Sequence, residues 1–396
     1  MRPVLFIYLK AFSFTGGIEK FNRSFMKALH ELSVDGLFDA SAISAYDGFT
    51  DEKYFPRLRF TGVRGLRIVF VCIAFFRALK SEVFIVGHIN LGVVGYFAKR
   101  VKPSLKLIVI VHGIEVWKEH TGYKRKVLEQ ADLILSVSDF TKNEITRYNR
   151  TVAHEKIRVF PNTLDPYFEF PANFDKPDYL LKRYGIDKET PILLTVSRLA
   201  FSEKYKGYDN VIRSMFDLSK INKNLIYLLC GKADKSEKQR IGMLIEDNKI
   251  KDRVKLLGFI PDKELIDHYL LADVFVMQSK KEGFGIVFIE ALACGRNVIA
   301  GSKDGSAEAL MHGELGTLVH PDSVEELKVA VNNCLNGSKR DPLMLQRKVI
   351  AAFGFDKYKQ RLSEQIGSSA PAHPDPKGGN RSRFSYRFGG LFAQRE

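Results

Sequence analysis

The chain has 396 residues, of which 45% are apolar and 27% are charged, a composition typical of folded globular proteins with room for two large domains. Disordered and fibrous classes are therefore excluded, and no apolar run reaches the roughly eighteen residues of a spanning helix. The formal net charge is +15, and +9 of it falls in residues 1–165. This excess indicates an anionic partner (lipid headgroups, a phosphorylated substrate or nucleic acid) or simply solubilising charge.

Short apolar runs alternate with helical patterns along the first half of the chain. The run PVLFIYL (3–9) predicts a first strand rather than a signal peptide, because Lys10 interrupts it and no small-residue cleavage site follows. The stretch GIEKFNRSFMKALHEL has helical spacing. EVFIVGHI, KLIVIVHG and ADLILSVS are the short apolar runs typical of strands buried on both faces.

The segment 64–80, RGLRIVFVCIAFFRALK, is an apolar helix candidate with Arg64, Arg67, Arg77 and Lys80 at its ends. Such a helix can lie on a membrane interface with the cations at the headgroups. Because it is apolar nearly all round, a core helix of the first domain is the favoured interpretation.

The strand–helix pattern restarts at PILLTVSRL (191–199) and continues through LIYLLCG, RVKLLGF and DVFVMQS. Two such series predict an α/β protein with two doubly wound parallel sheets. A stretch rich in Pro, Asn and Asp at 161–179 marks the seam. The predicted organisation is a first domain at 1–165, a linker at 166–185, a second domain at 186–340, terminal helices at 341–366 and a disordered tail at 367–396.

The four cysteines occur singly in mostly apolar surroundings, at positions 72, 230, 294 and 334. We expect them to be small buried hydrophobes in a reducing compartment rather than disulfides or metal ligands.

Glycine turns follow the predicted strands at the points where open parallel sheets bind ligands. In SFTGGIEK, Gly16 and Gly17 would let backbone N–H groups approach a phosphate at a helix N-terminus. The motif is neither G-x-G-x-x-G nor a P-loop, which disfavours an NAD-dependent oxidoreductase. In VSRLAFSEKYKGYDN, Arg198 and Lys206 follow another strand beside Gly207 and could clamp a diphosphate.

The stretch EGFGIVFIEALACG places Glu282 in a glycine turn and Glu290 within the helix that follows. Gly283 and Gly285 would allow the backbone amides of residues 284–287 to face an anion. Carboxylates are repelled by phosphates, so they should face hydroxyl groups on either side of a diphosphate. A nucleotide sugar has this arrangement, with Glu282 at the transferred sugar and Glu290 at the ribose.

The same stretch resembles the Glu-x7-Glu signature of retaining nucleotide-sugar glycosyltransferases of family four, which have the two-domain GT-B fold. Further motifs resemble this family in chain order over roughly residues 1–366: TGGIEK, IVHG with His112, VSDFTKNEI, VFPNTLD, SRL…KG, GSKDGSAEAL…GELGTLVHPDS and FDKYKQRLSEQI. Thr163 in PNTLD, where glycine is common, and a slightly long segment between Arg198 and Lys206 depart from the pattern.

The resemblance implies a GT-B fold of two Rossmann-like domains facing an interdomain cleft, and metal-independent transfer with retention of anomeric configuration. It implies catalytic roles for Glu282, His112, Arg198 and Lys206. It implies a donor site made by Gly16, Gly17, Gly231, Phe259, Gly283, Phe284, Gly285, Ile286, Val287 and Glu290. No Asp-x-Asp occurs, so neither a metal nor another cofactor is expected, and the leaving phosphate would itself take the acceptor's proton.

Residues after other strand ends are weaker candidates for the acceptor side. These are Glu115, His88 and Asn90, with Trp117 and Lys118 as further candidates, and an ordinary loop is an equally good interpretation. The expected partners are a nucleotide sugar, with GDP-mannose ahead of a UDP-sugar, and a glycan or lipid-linked acceptor of a bacterial surface polysaccharide. We expect a cytoplasmic protein with peripheral contact to anionic membrane and no nucleic acid. A noncatalytic basic membrane- or nucleic-acid-binding protein and an NAD-dependent oxidoreductase stay as alternatives.

Overall fold

The structure is a computed structural model that describes residues 1–13, 15–337 and 340–367. The predicted disordered tail lies outside the described residues, apart from residue 367 at its start. The described residues form two parallel sheets flanked by helices.

The first sheet has seven strands: β1 (Arg2–Tyr8), β2 (Phe38–Ser44), β3 (Phe60–Gly62), β4 (Val83–Val86), β5 (Lys106–Val111), β6 (Leu133–Ser136) and β7 (Ile157–Val159). Their spatial order is β3-β2-β1-β4-β5-β6-β7. The helices between them are α1 (Gly17–Val34), α2 (Arg67–Lys80), α3 (Gly92–Val101), α4 (Gly122–Gln130) and α5 (Asp139–Tyr148). The strand order reverses between β1 and β4, so the loops after these strands border a crevice.

The second sheet has six strands: β8 (Ile192–Val196), β9 (Ile226–Cys230), β10 (Val254–Gly258), β11 (Val274–Met277), β12 (Asn297–Gly301) and β13 (Thr317–Val319). They are ordered β10-β9-β8-β11-β12-β13, with the reversal between β8 and β11. The helices are α6 (Asp178–Tyr184), α7 (Tyr208–Ile221), α8 (Lys235–Asp247), α9 (Asp262–Leu271), α10 (Ile286–Ala293), α11 (Ser306–Ala309) and α12 (Val324–Asn336). The prediction of two doubly wound domains is confirmed.

Five strands have no counterpart among the predicted apolar runs: β2, β3, β7, β12 and β13. Three of them, β3, β7 and β13, have only three residues each, too few for a periodic signal. Strand β2, FDASAIS, mixes polar and apolar residues because it lies near an edge of its sheet, covered only by the short strand β3.

The last two helices, α13 (Pro342–Phe353) and α14 (Phe355–Gly367), return the chain to the first domain. Lys359 on α14 pairs with Glu31 on α1 at 2.8 Å, and Lys106 Nζ donates to the carbonyl of Ile366 at 3.0 Å. The Tyr358 ring packs on Phe160 with centroids 4.5 Å apart. The C-terminal helix thereby joins the two halves of the molecule.

Helix α2 is not the core helix that its composition favoured. Only Phe70, Ala74 and Ala78, spaced four residues apart, are buried, whereas Ile68 is 82% and Phe76 63% exposed. The interpretation as a core helix is therefore wrong, because the described residues leave the outer face of this helix uncovered. None of the helices in the described part of the chain combines the length and hydropathy that a membrane crossing needs.

The cysteines are free, as expected, and Cys230 and Cys294 are buried. Cys334 is partly buried. Cys72, by contrast, is exposed on α2, so its predicted burial is wrong for the same reason as for the rest of that helix face.

Candidate active site

The glycine turn before α10 lies at the carboxyl end of β11. Gly285 adopts a left-handed φ of 85°, which favours glycine, and a Cβ there would crowd the Phe288 ring. Phe284 is buried against Phe353 with ring centroids 5.3 Å apart. Phe284 thus anchors the turn, so its predicted contact with the donor involves its backbone rather than its ring, and Ile286 is similarly buried.

Hydrogen bonds to both its side chain and its backbone hold Glu282 in position. Its Oε2 accepts a hydrogen bond from Lys206 Nζ at 2.5 Å, and both side chains are largely buried. Its backbone N–H donates to Asp304 Oδ2 at 2.7 Å, and its carbonyl accepts from the Gly305 N–H at 2.8 Å. Burial favours the neutral amine, but the charge and hydrogen bond of Glu282 raise the pKa of Lys206. Lys206 therefore stays charged, and the pair is fixed in position.

Asp304 organises this turn and was not singled out in the sequence. Its carboxylate also accepts from Ser279 Oγ at 2.7 Å and from the Ser306 N–H at 3.0 Å. Burial raises the pKa of Asp304 to about 6. The motif GSKDGSAEAL contains the residue, but nothing in the local pattern indicated that it holds Glu282.

Arg198 and Lys206, the pair expected to clamp a diphosphate, differ in burial. Lys206 is buried beside Glu282, where Gly207, with φ 83°, passes against the carbonyl of Gln278. Arg198 is 59% exposed and pairs with Glu203. The predicted clamp thus combines a buried lysine paired with Glu282 and an exposed arginine paired with Glu203.

Glu290 lies on the buried face of α10 and is only 2% exposed. One oxygen pairs with Lys20, which lies on α1 of the other domain, and Tyr269 Oη donates to the other oxygen at 2.7 Å. Burial and the Glu290 charge raise the pKa of Tyr269, so this hydroxyl remains a donor. Lys20 was not predicted, because its partner is 270 residues away.

The first glycine turn leads into α1, as predicted. Gly16 occupies the N-cap position with extended backbone, and a Cβ there would lie 2.5 Å from Glu19 Oε2. Gly17 begins the helix, and a Cβ there would meet no atom of the described residues within 4 Å. The turn therefore leaves space for a ligand at the N-terminus of α1.

His112 follows β5 and faces both domains. Its Nε2 lies 2.8 Å from the Gly87 carbonyl, which can only accept, so Nε2 carries a proton. Its Nδ1 makes no hydrogen bond within the described residues and is available to a ligand hydroxyl. Its ring packs edge-on to Phe21 at 4.8 Å, and its carbonyl lies so close to Gly283 that a Cβ there would clash.

The acceptor-side candidates lie around His112. His88 is buried, accepts from the Asn90 N–H at 3.1 Å, and has its pKa lowered to about 4 by burial, so it is neutral at physiological pH. Asn90 accepts from Lys124 at 2.7 Å. Glu115 accepts from the backbone N–H of His112 at 2.5 Å, so its carboxylate supports the loop.

The remaining candidates have mainly structural contacts. Trp117 Nε1 donates to Thr141 Oγ1 at 3.3 Å, and the Lys118 carbonyl accepts from Asn149 at 3.0 Å. Gly231 has φ 150° and passes against the Ser197 carbonyl. Of two further residues predicted for the donor site, Phe259 is exposed and Val287 is partly buried.

Two family models match the chain in succession. Glycosyltransferase Family 4 matches residues 15–168, and Glycosyl transferases group 1 matches residues 179–348. The matches show that the chain contains two glycosyltransferase family domains, one after the other. The two matches correspond to the two sheets, and the site described above lies where they meet.

Solved structures agree on the GT-B fold. Anabaena HepE in complex with UDP and glucose superimposes with a TM-score of 0.74 at 20% identity, covering 93% of this chain and 100% of that one. WaaG, a glycosyltransferase involved in lipopolysaccharide biosynthesis, gives a TM-score of 0.67 at 15% identity, covering 92% of this chain and 100% of that one.

A curated relative from Mycolicibacterium smegmatis, a GDP-mannose-dependent alpha-(1-6)-phosphatidylinositol monomannoside mannosyltransferase, is 27% identical over 64% of this chain and 67% of that protein. A D-inositol 3-phosphate glycosyltransferase from Corynebacterium aurimucosum is 27% identical over 55% of this chain and 52% of that protein. The chain thus spans one half to two thirds of the length of these relatives.

Proposed function

We propose that this glycosyltransferase moves a hexose from a nucleotide sugar, GDP-mannose ahead of a UDP-sugar, to a glycan or lipid-linked acceptor with retention of anomeric configuration. The observation that carries the proposal is the buried Lys206–Glu282 pair, fixed by Asp304 at the glycine turn before α10. It joins a cation suited to a diphosphate to a carboxylate suited to a sugar. The GDP-mannose dependence of the Mycolicibacterium relative supports this choice of donor.

In this proposal the residues on each side of the cleft contact a different part of the donor. Lys206 and the amides at the start of α10 meet the diphosphate, and Arg198 joins them when it leaves Glu203. The Nδ1 atom of His112 accepts from a hydroxyl of the transferred sugar. Glu290 takes the ribose hydroxyls once Lys20 releases one of its oxygens.

The chemical step needs no protein nucleophile. The bond between the anomeric carbon and the phosphate oxygen breaks, and the acceptor oxygen bonds to the same face of that carbon. The acceptor's proton passes to the leaving phosphate oxygen. Glu282 stabilises the positive charge that develops on the sugar, while Lys206 stabilises the negative charge on the diphosphate.

A panel of nucleoside diphosphates and nucleotide sugars tests the donor. We expect GDP-mannose to raise the unfolding temperature most, because ligand binding stabilises the folded state in proportion to affinity. Proton NMR of the product should show the donor's anomeric configuration, and EDTA should leave the rate unchanged. An inverted product, or a rate abolished by EDTA and restored by Mn²⁺, would contradict the proposed chemistry.

The exposed face of α2 supports the predicted contact with anionic membrane. Leu66, Ile68, Val71 and Phe76 project outwards, and Phe97 and Val101 on α3 are exposed as well. The cations Arg64, Arg67, Arg77 and Lys80 are exposed at the ends of this face. Apolar residues bordered by cations are suited to the headgroup region of an anionic bilayer.

Co-sedimentation with vesicles of phosphatidylglycerol and phosphatidylcholine tests this contact. Ile68→Glu with Phe76→Glu should weaken binding about tenfold or more, because both charge and lost apolar burial oppose it. Val329→Glu on α12 of the other domain is the control, since Val329 is 60% exposed, close to the 63% of Phe76. Equal loss in the control, or equal binding to pure phosphatidylcholine, would contradict an anionic-membrane surface at α2.

A further inference from the structure

Glu308 on α11 reaches across from the second domain to a helix of the first. Its carboxylate accepts hydrogen bonds from the backbone N–H groups of Asp139, at 2.6 Å, and Phe140, at 2.8 Å. These are the first two residues of α5, whose own cap, Ser138, accepts at its Oγ from the Thr141 N–H at 3.0 Å. Glu308 therefore completes the cap of α5 with a charge that suits a helix N-terminus.

The segment that carries Glu308 also carries the groups that hold Glu282. Asp304 accepts from the Glu282 N–H, and the Gly305 N–H donates to the Glu282 carbonyl. A Cβ on Gly305 would clash with the Gly283 carbonyl, so the two backbones are in direct contact. A displacement of Glu308 would therefore be transmitted to Glu282 over a few residues.

The far side of the glycine turn touches the first domain as well. The carbonyl of His112 packs on Gly283, and a Cβ on Gly113 would lie 3.0 Å from the Gly283 Cα. Phe140, whose amide Glu308 caps, packs edge-to-face against Trp117 with ring centroids 5.1 Å apart. Glu308 and the turn beside His112 are thus two linked contacts between the domains.

We propose that Glu308 is a positioning residue for the transfer reaction, which caps α5 across the cleft and thereby sets Glu282 against His112 when the domains are together. The inference rests on the proposed function, in which Glu282 and His112 contact the donor sugar. Glu308 itself contacts backbone amides and acts through the 304–308 segment. Its burial at the interface raises the pKa of its carboxyl, whereas the two amides favour the charged form.

The kinetic test compares Glu308→Gln and Glu308→Ala with Glu314→Gln. Glu314 is a matched control, because it is an exposed carboxylate of the same domain that pairs with Lys348 at 2.6 Å. Loss of charge-assisted hydrogen bonds should lower kcat about ten- to hundredfold in both Glu308 variants. The KM for the donor and the affinity for the nucleoside diphosphate should change less than about threefold, since their contacts lie elsewhere. A kcat in Glu308→Gln within about twofold of wild type, or an equal loss in Glu314→Gln, would overturn the proposal.

Hydrogen exchange of the full chain examines the cap without any substrate. The amides of Asp139 and Phe140 should exchange at least about tenfold faster in Glu308→Ala than in wild type, and at the wild-type rate in Glu314→Gln. Unchanged exchange would mean that Glu308 does not cap α5 in solution and would overturn the proposal. If the wild type turns over no nucleotide sugar, the proposed function fails, and faster exchange would still establish the interdomain cap. If Glu308 served folding alone, its variants would have a lower unfolding temperature. They would not show a fall in kcat at a nearly unchanged KM.

Discussion

The two walls of the cleft are built from different kinds of interaction. The wall formed by the second domain has buried charges that hold one another, with Lys206, Glu282 and Asp304 joined by hydrogen bonds. The wall formed by the first domain has two imidazoles at its centre, with His88 kept uncharged by burial and His112 bound through Nε2 to a backbone carbonyl. In the proposed function, the second domain therefore supplies the charges beside the diphosphate and the transferred sugar, and the first domain supplies the His112 hydrogen bond.

The sharpest test of this comparison is Glu282→Gln in the charged wall. Loss of a carboxylate beside the developing sugar cation should lower turnover by about a hundred- to a thousandfold. Affinity for the bare nucleoside diphosphate should not weaken, because Lys206 is then free to meet the phosphates.

Glu290→Gln should instead weaken binding of both nucleoside diphosphate and donor. Calorimetry with initial rates on both variants checks this, and normal turnover in Glu282→Gln would remove the distinction between the walls.

Lys20 is the exception, a cation of the first domain that pairs with a buried carboxylate of the second. Lys20→Met should destabilise the fold by about 3–5 kcal/mol, because it leaves the Glu290 charge buried with Tyr269 alone. Denaturant unfolding measures this. The double variant with Glu290→Gln should recover part of the loss, and strictly additive effects would show that the pair does not form in solution.

A third test uses the pH dependence of the charged wall. Asp304 has a pKa of about 6 in the folded protein against a reference value of 3.8. Between these values the folded state keeps a proton that the unfolded chain has released, so stability should fall as pH rises through about 4 to 6 and then level off. The change should be on the order of 3 kcal/mol. Urea unfolding of wild type and Asp304→Asn checks it, and parallel pH profiles would contradict the shift.

The smallest difference is expected within the charged wall, between its two cations. Lys206→Ala should lower turnover and donor affinity about ten- to hundredfold, because Lys206 is buried and makes a charge-assisted contact. Arg198→Ala should lower turnover and donor affinity less, by about tenfold at most, since an exposed cation is screened by solvent. Donor saturation curves for both variants give the ratio. Equal losses would show that the buried and the exposed cation contribute equally to the predicted diphosphate clamp.

The sequence alone determined the two-domain α/β architecture and the residues around each glycine turn. Strands such as KLIVIV at 106–111 are buried on both faces, so their apolar runs are visible without a structure. Positive φ at Gly285 and Gly207 requires glycine, and those glycines marked the turns beside Glu282 and Lys206. These features are local, because backbone conformation and burial are encoded within a few residues.

Only the tertiary structure decided which partners these residues take. Lys20 meets Glu290 and Glu308 meets α5 from the opposite domain, and no periodicity encodes a contact between residues 270 and 169 positions apart. The apolar composition of α2 indicated burial, yet one face is exposed because no element of the described residues packs over it. The composition of a segment shows how favourable its burial would be. Only the packing of whole elements determines whether its side chains lie in the core, contact another domain or stay exposed.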